Sequence, residues 1–134
     1  MKQYRKGITF GVYDLFHIGH LNLLKQAKEQ CEFLIVGVST DKYSQEKKGK
    51  TPVIPFMERF QIVQAIEYVD WATMQDDVYT KAKTAATFNA DVIFVGSDHK
   101  GKQWDGAKLS IPVIYFPYTD HISSSKIISK IQNA

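Results

Sequence analysis

Two short runs, Phe33-Leu34-Ile35-Val36 and Val92-Ile93-Phe94-Val95, constrain this chain most, because both are apolar at every position. A strand with one face in water alternates apolar and polar residues. One that is apolar throughout is covered on both sides, as in a parallel sheet sandwiched by helices. Around these runs, short β-branched and aromatic segments alternate with helical patterns, the order expected of strands joined by crossover helices. Strands are predicted over residues 7–11, 33–39, 91–96 and 113–116, with a short fifth near 71–74. Helices are predicted over 19–30, 56–68, 78–89 and 123–132. In the second of these, Phe56, Phe60, Val63 and Ile66 recur at helical spacing behind Pro55, a residue tolerated at a helix start and not inside one. The lysine-rich segment 41–55 and the segment 97–108, with Gly101 and Gly106, read as loops. No internal repeat or low-complexity tract interrupts the pattern. The predicted class is α/β: one Rossmann-like domain over residues 1–134, with about five parallel strands and helices on both faces.

Size and charge bound the function. A chain of 134 residues, 44% hydrophobic, builds one ordinary core and not two. Its formal charge of +3, from 17 basic and 14 acidic residues, is too mild for a nucleic-acid scaffold but suits a cleft that attracts polyphosphates. No apolar run approaches the roughly 20 residues of a membrane span, and Met1 to Lys6 has no hydrophobic stretch of signal-peptide type. A cytoplasmic protein that works without a membrane or nucleic-acid partner is the expectation. The lone cysteine, Cys31, cannot form an internal disulfide; at the end of a predicted helix it reads as a half-buried thiol with no catalytic role.

In an open α/β sheet, ligands sit beyond the carboxyl ends of the strands, so chemistry is sought just after each strand. The segment Gly11-Val12-Tyr13-Asp14-Leu15-Phe16-His17-Ile18-Gly19-His20 ends a strand on glycine, turns through Asp14 and enters a helix with two histidines three residues apart. At that spacing His17 and His20 share a helix face, beside amides and a positive dipole end that favour phosphate. Two imidazoles there can donate hydrogen bonds to phosphate oxygens. An isolated histidine is usually a capping or core residue, but a pair flanking glycine at a strand-to-helix junction rarely is. A zinc site would need a third ligand, and none is obvious nearby.

The pattern Gly-x-x-Asp-x-x-His-x-Gly-His resembles the signature of the cytidylyltransferase family, within the wider HxGH nucleotidyltransferases, and is most similar to its glycerol-3-phosphate-specific branch. The resemblance runs over nearly the whole chain: Ser39-Thr40-Asp41 closes the second strand, Arg59 and Tyr68-Val69-Asp70 follow, and Ile122-Ser123-Ser124-Ser125-Lys126-Ile127 comes near the end. It implies that Gly11, Val12, Tyr13 and Asp14 contact nucleotide, and that His17 and His20 stabilise the transition state. It also implies that a lysine-bearing loop folds over the reacting phosphates, with Lys47 the nearest match and Lys50 second, and that Arg59 holds phosphate. Without the other motifs, Glu46-Lys47-Lys48-Gly49-Lys50 would read as a solvated surface loop.

Three further places carry expectations from the same resemblance. After the fourth strand, Gly96 and Asp98 would bind the nucleoside part of CTP, although Gly96-Ser97-Asp98-His99 equally suits an ordinary turn. Thr119, Ile122, Ser123 and Ser124 would hold the triphosphate, and Ser123 or Ser124 would also serve as a common helix N-cap. Lys81 matches a position that contacts the acceptor, and could instead be a solvent-facing helix lysine.

What the family likeness implies is transfer of CMP from CTP to a small phosphorylated alcohol, with glycerol 3-phosphate foremost, by in-line attack on the α-phosphorus. Mg²⁺ would screen the triphosphate, and the family also implies a homodimer and a cell-wall precursor pathway. Three positions depart from the family pattern: Glu67 and Tyr118 stand where arginines are common, and His121 where glycine is usual. Two lost guanidiniums imply weaker triphosphate binding, a different acceptor, or compensation by His121 and the lysines. Other acceptors (phosphocholine, phosphoethanolamine, a sugar phosphate), or ATP as donor, form the second reading. A non-catalytic nucleotide-binding module is the third, and the intact His17 and His20 argue against it.

Overall fold

In chain order the elements are β1 (Tyr4–Gly11), α1 (Ile18–Gln30), β2 (Cys31–Ser39), α2 (Asp41–Lys48), α3 (Phe56–Gln64), β3 (Trp71–Gln75), α4 (Lys81–Phe88), β4 (Val92–Gly96), β5 (Val113–Phe116) and α5 (Ser124–Gln132). They belong to a computed structural model that describes residues 2–96, 109–117, 119 and 121–134. The strands form one sheet in the order β3-β2-β1-β4-β5, and every neighbouring pair is parallel. The α/β, single-sheet Rossmann-like prediction therefore holds.

Two apolar layers sandwich the sheet. On one face Leu24 and Ala27 of α1 and Val63 of α3 pack on Leu34, Val36, Val38, Val92 and Phe94. On the other, Ala85 of α4 packs with Ile8, Ile35, Ile93 and Val95. Alternate residues of β2 and β4 thus serve opposite layers, which is why Leu34 to Val36 and Val92 to Val95 are apolar throughout. Each fully buried Ile, Leu or Val contributes roughly 1.5–3 kcal/mol of transfer free energy.

The strand order places the site. From β1 the chain builds outward through β2 to β3, then crosses back to add β4 on the other side of β1. Connections leave β1 and β4 in opposite directions, opening a crevice at their carboxyl ends.

Several expectations are corrected. Residues 41–48 of the predicted loop form α2: Thr40 caps it by accepting from the Tyr43 amide, and Gly49 ends it at φ 71°, a left-handed geometry that glycine adopts without strain. The helix expected over 56–68 stops at Gln64 and continues as a turn, and the one expected from 78 begins at Lys81 behind the Thr80 cap. Phe33 is exposed, and Cys31 is fully buried as the first residue of β2, its thiol donating to the Ala27 carbonyl. Burial pushes the Cys31 thiol pKa up, which suits an inert side chain.

Candidate active site

At the β1/β4 crevice lies a cleft of about 520 Å³, floored by Thr9, Phe10, Gly11, Val95 and Gly96. One wall comes from the β1–α1 turn and the start of α1, with Val12, Tyr13, Asp14, His17 and His20. A second is the entry to α5, with Thr119, Ile122, Ser123, Ser124 and Ser125. The remainder comes from Ser44 and Lys48 of α2, Lys50, Thr51 and Pro52 beyond it, and Lys81 of α4. Three lysines against one carboxylate, Asp14, among these lining residues favour an anionic occupant.

The β1–α1 turn is strained and over-determined. Tyr13 and Leu15 both take positive φ, 57° and 50°, where a side chain with a Cβ is disfavoured. The turn between them is held from three directions. Asp14 accepts from the Val53 and Ile54 amides at 2.8 and 3.0 Å, Ser124 Oγ donates to the Asp14 carbonyl at 2.5 Å, and Arg59 Nη1 donates to the Val12 carbonyl at 2.6 Å. Tyr13 is thereby driven inward, 6% exposed, its ring edge-on to His20 at 5.3 Å. Desolvation raises the Tyr13 pKa, so it stays a neutral structural group.

His17 and His20 are locked together by a reciprocal cap. His17 is the N-cap of α1 and its Nδ1 accepts from the Gly19 amide at 3.0 Å, while His20 Nδ1 accepts from the His17 amide at 3.2 Å. With both Nδ1 atoms accepting, a neutral ring carries its proton on Nε2. The rings stack at 3.8 Å and both line the cleft, so each offers it an Nε2 N–H donor. Gly19 is required by closeness, since a Cβ there would lie 2.8 Å from His17 Cε1.

Burial keeps both imidazoles neutral. It lowers the His17 pKa, and it holds His20 down to about 3, with the neighbouring His17 and the Lys48 charge acting in the same direction. An unfolded imidazole titrates near 6.5, so on acidification the unfolded chain takes up the His20 proton first. The His20 contribution to stability is therefore complete above about pH 6.5 and is lost as the pH falls toward 3. Thermal melts from about pH 8 to about pH 4 should show Tm falling below pH 6.5. The fall should be shallower in His20→Gln, which can keep the reciprocal cap but does not titrate. An identical slope in the variant would rule out His20 as the responsible group.

The structure brings most of the sequence-derived residues together. Gly11, Val12, Tyr13, Asp14, His17, His20, Lys50, Lys81, Gly96, Thr119, Ile122, Ser123 and Ser124 all line the cleft. Asp98 and Tyr118 lie outside the described residues, and Glu67 is exposed in the turn after α3, away from the cleft. Two expected phosphate ligands are placed elsewhere. Lys47 does not line the cleft; its ammonium sits 5.6 Å from the Tyr43 ring centroid. Arg59 is fully buried, with Nε donating to the Ile54 carbonyl, Nη1 to Val12 and Ser39, and Nη2 to Asp41 at 2.6 Å. It ties together the ends of β1 and β2 and the segment before α3, and it does not line the cleft.

Lys48, which the sequence groups with Lys47 and Lys50 but gives no role of its own, lines the cleft, and its charge is felt at His20. A helix capped by Thr40 and ended by Gly49 puts 47 and 48 both within one turn of Ser44, and of the two lysines it is Lys48 that lines the cleft. The α5 entry presents a helix N-terminus to the cleft. Ser123 caps it by accepting from the Lys126 amide, and Asn22 Nδ2 ties Thr119 to α1 at 3.0 Å.

Comparison with known proteins gives this arrangement relatives. Residues 8–130 match the family described as cytidylyltransferase-like. The chain is 35% identical to the glycerol-3-phosphate cytidylyltransferase of Bacillus subtilis over 127 residues, covering 95% of this chain and 97% of the relative. It is 32% identical to the FAD synthase of Thermococcus sibiricus, covering 92% and 90% respectively. The crystal structure of a lipopolysaccharide core biosynthesis protein from Thermoplasma volcanium superposes with a TM-score of 0.71 at 26% identity, covering 88% of this chain and 98% of that one.

Proposed function

Because this chain belongs to the cytidylyltransferase-like family, we propose that it transfers CMP from CTP to a small phosphorylated alcohol, foremost glycerol 3-phosphate, giving CDP-glycerol and pyrophosphate. The observation that carries this reading is the stacked, neutral His17/His20 pair, its tautomers fixed by the α1 cap, beside cleft lysines at the β1/β4 crevice.

The reaction asks for positioning and charge stabilisation rather than covalent help. An acceptor phosphate oxygen is already anionic at neutral pH, so its attack on the α-phosphorus needs no general base. A bond forms between that oxygen and the α-phosphorus; the bond to the bridging α–β oxygen breaks, and its electron pair leaves with pyrophosphate. The Nε2 donors of His17 and His20 meet the charge gathering on the α-phosphoryl oxygens. Pyrophosphate departs toward the N-terminus of α5, where the helix dipole and the Ser123–Ser125 entry receive it. Lys48 and Lys50 take the clamping role that the sequence assigned to Lys47 and Lys50, and Lys81 faces the acceptor. Arg59 is a positioning residue, since it is fully buried with its guanidinium engaged by Ile54, Val12, Ser39 and Asp41.

The donor set suits a Mg²⁺ carried mainly by phosphate oxygens and water. Asp14 is the one carboxylate among the described cleft residues, and both its oxygens accept backbone amides. Bound to the triphosphate, the ion would neutralise the leaving group. By family likeness alone, the reading extends to a cytoplasmic homodimer that supplies a cell-surface polymer precursor.

The likeness to an FAD synthase, nearly equal in coverage, supports one alternative: the same chemistry with ATP or with another acceptor. Pyrophosphate release by purified protein with Mg²⁺, each of CTP and ATP being paired with a panel of phosphorylated alcohols, separates the two. Release confined to CTP and glycerol 3-phosphate is expected. Release only with ATP, or only with another acceptor, would replace the leading reading.

A further inference from the structure

Among the described residues, Ser44 Oγ is the one buried side-chain oxygen or nitrogen with no hydrogen-bond partner. Buried hydroxyls are normally satisfied, and leaving one unpaired is unfavourable, so an orphan of this kind calls for a reason. Ser44 is 2% exposed, yet it belongs to the cleft lining, one helical turn before Lys48 on the same face of α2. Ser44 and Lys48 thus face the same cleft from successive turns of α2.

The surroundings indicate what the hydroxyl meets. Tyr43, next to Ser44, and Phe10 of the cleft floor flank the Lys81 ammonium, whose distances to the two ring centroids are 5.8 and 5.6 Å. A cation held between two rings on this wall favours an anionic group, while Ser44 can both donate to and accept from a neighbouring hydroxyl. A quaternary ammonium offers Ser44 no hydrogen bond and meets a cleft lined by Lys48, Lys50 and Lys81.

We propose that Ser44 reads a hydroxyl of the acceptor, in a subsite that takes a polyol phosphate with its phosphate toward Lys81 and a nearby hydroxyl on Ser44 Oγ. The assignment rests on the nucleotidyl-transfer reading above and names a specificity residue that neither the HxGH motif nor the lysine segment indicated. Ser44 is not required for the chemistry itself; it supplies a hydrogen bond that only a hydroxylated acceptor completes.

The test compares glycerol 3-phosphate with n-propyl phosphate, which keeps the phosphate and lacks both hydroxyls, in the wild type and in Ser44→Ala. Two readouts are taken: kcat/KM with Mg²⁺ and CTP, and thermal protection by each phosphate alone. The wild type should prefer glycerol 3-phosphate by about tenfold or more, and Ser44→Ala should reduce that ratio to about threefold or less. The variant should melt at or above the wild-type temperature, because an unpartnered hydroxyl is removed and alanine is the better helix former. A merely structural role would move the KM for CTP as well. Equal protection of the wild type by both phosphates, or an undiminished preference in Ser44→Ala, overturns the assignment. Absence of pyrophosphate release with CTP and either phosphate would sink the glycerol 3-phosphate reading, while the protection ratio still decides Ser44.

Discussion

His17→Ala should lower turnover by about two orders of magnitude or more while the protein stays folded, the loss expected when a donor to transition-state charge is removed. His17 is half-buried at the start of α1 and makes one structural bond through its side chain, the Nδ1 acceptor contact with the Gly19 amide. Losing an N-cap costs about 1 kcal/mol, a small part of a domain's stability. The rate effect comes from the other nitrogen, the Nε2 N–H that the cap leaves to the cleft. Asparagine separates the two roles, because its shorter side chain caps helices well but cannot place a donor where Nε2 was. His17→Asn should therefore restore the melting temperature and leave turnover depressed. Stopped or slowed turnover in alanine with full recovery in asparagine would mean that only the cap matters.

Arg59→Ala should produce the largest loss of stability of any single change at the site, about 3–5 kcal/mol, the range for removing one partner of a buried charged network. For a chain of this size that corresponds to a fall in Tm of roughly 10 °C or more. The cost resides mainly in carbonyl groups. Asp41, the ionic partner, has a side chain 42% exposed and can turn to water, whereas the carbonyls of Val12, Ser39 and Ile54 lose the donors that joined two strand ends and a turn. Lysine does not rescue, because its single ammonium cannot reproduce the planar fork that reaches several acceptors at once. At temperatures where the variant is folded, the KM for CTP should rise, since Val12 and Ile54 flank the bonds that fix Asp14. A variant with unchanged Tm and a raised KM would instead make Arg59 a direct phosphate ligand.

The contrast between Arg59 and Lys48 shows what could be read from the residues and what needed the fold. Hydrophobic runs such as Val92 to Val95 carry strand identity and two-sided burial in their own composition, so the parallel sheet was legible. The histidine pair was legible too, since its spacing and its glycine are local properties of the turn. Segment 41–55 failed for a local reason: its lysines outweighed the Thr40 cap and the Gly49 stop, which together mark a helix. Losing that helix concealed that Lys48, beside Ser44, is the α2 lysine that lines the cleft. Arg59 was misplaced for a different reason. Its residue type suits a phosphate ligand, and only three-dimensional closure of Val12, Ser39 and Ile54 around it shows that its donors are already engaged. The same holds for the positive φ of Tyr13 and Leu15, because long-range bonds from Asp14, Arg59 and Ser124 impose a geometry that neither residue favours.

These constraints converge on one functional claim: the cleft transfers a nucleotidyl group by breaking the α–β phosphate bond of its donor. Phosphorus NMR of the wild-type protein incubated with Mg²⁺, CTP and glycerol 3-phosphate tests this most directly, because it identifies the bond that breaks. The expected result is equal build-up of pyrophosphate and of the paired resonances of a diphosphate diester, with no CDP. Accumulation of CDP with inorganic phosphate would place the reaction at the γ-phosphate and contradict the account.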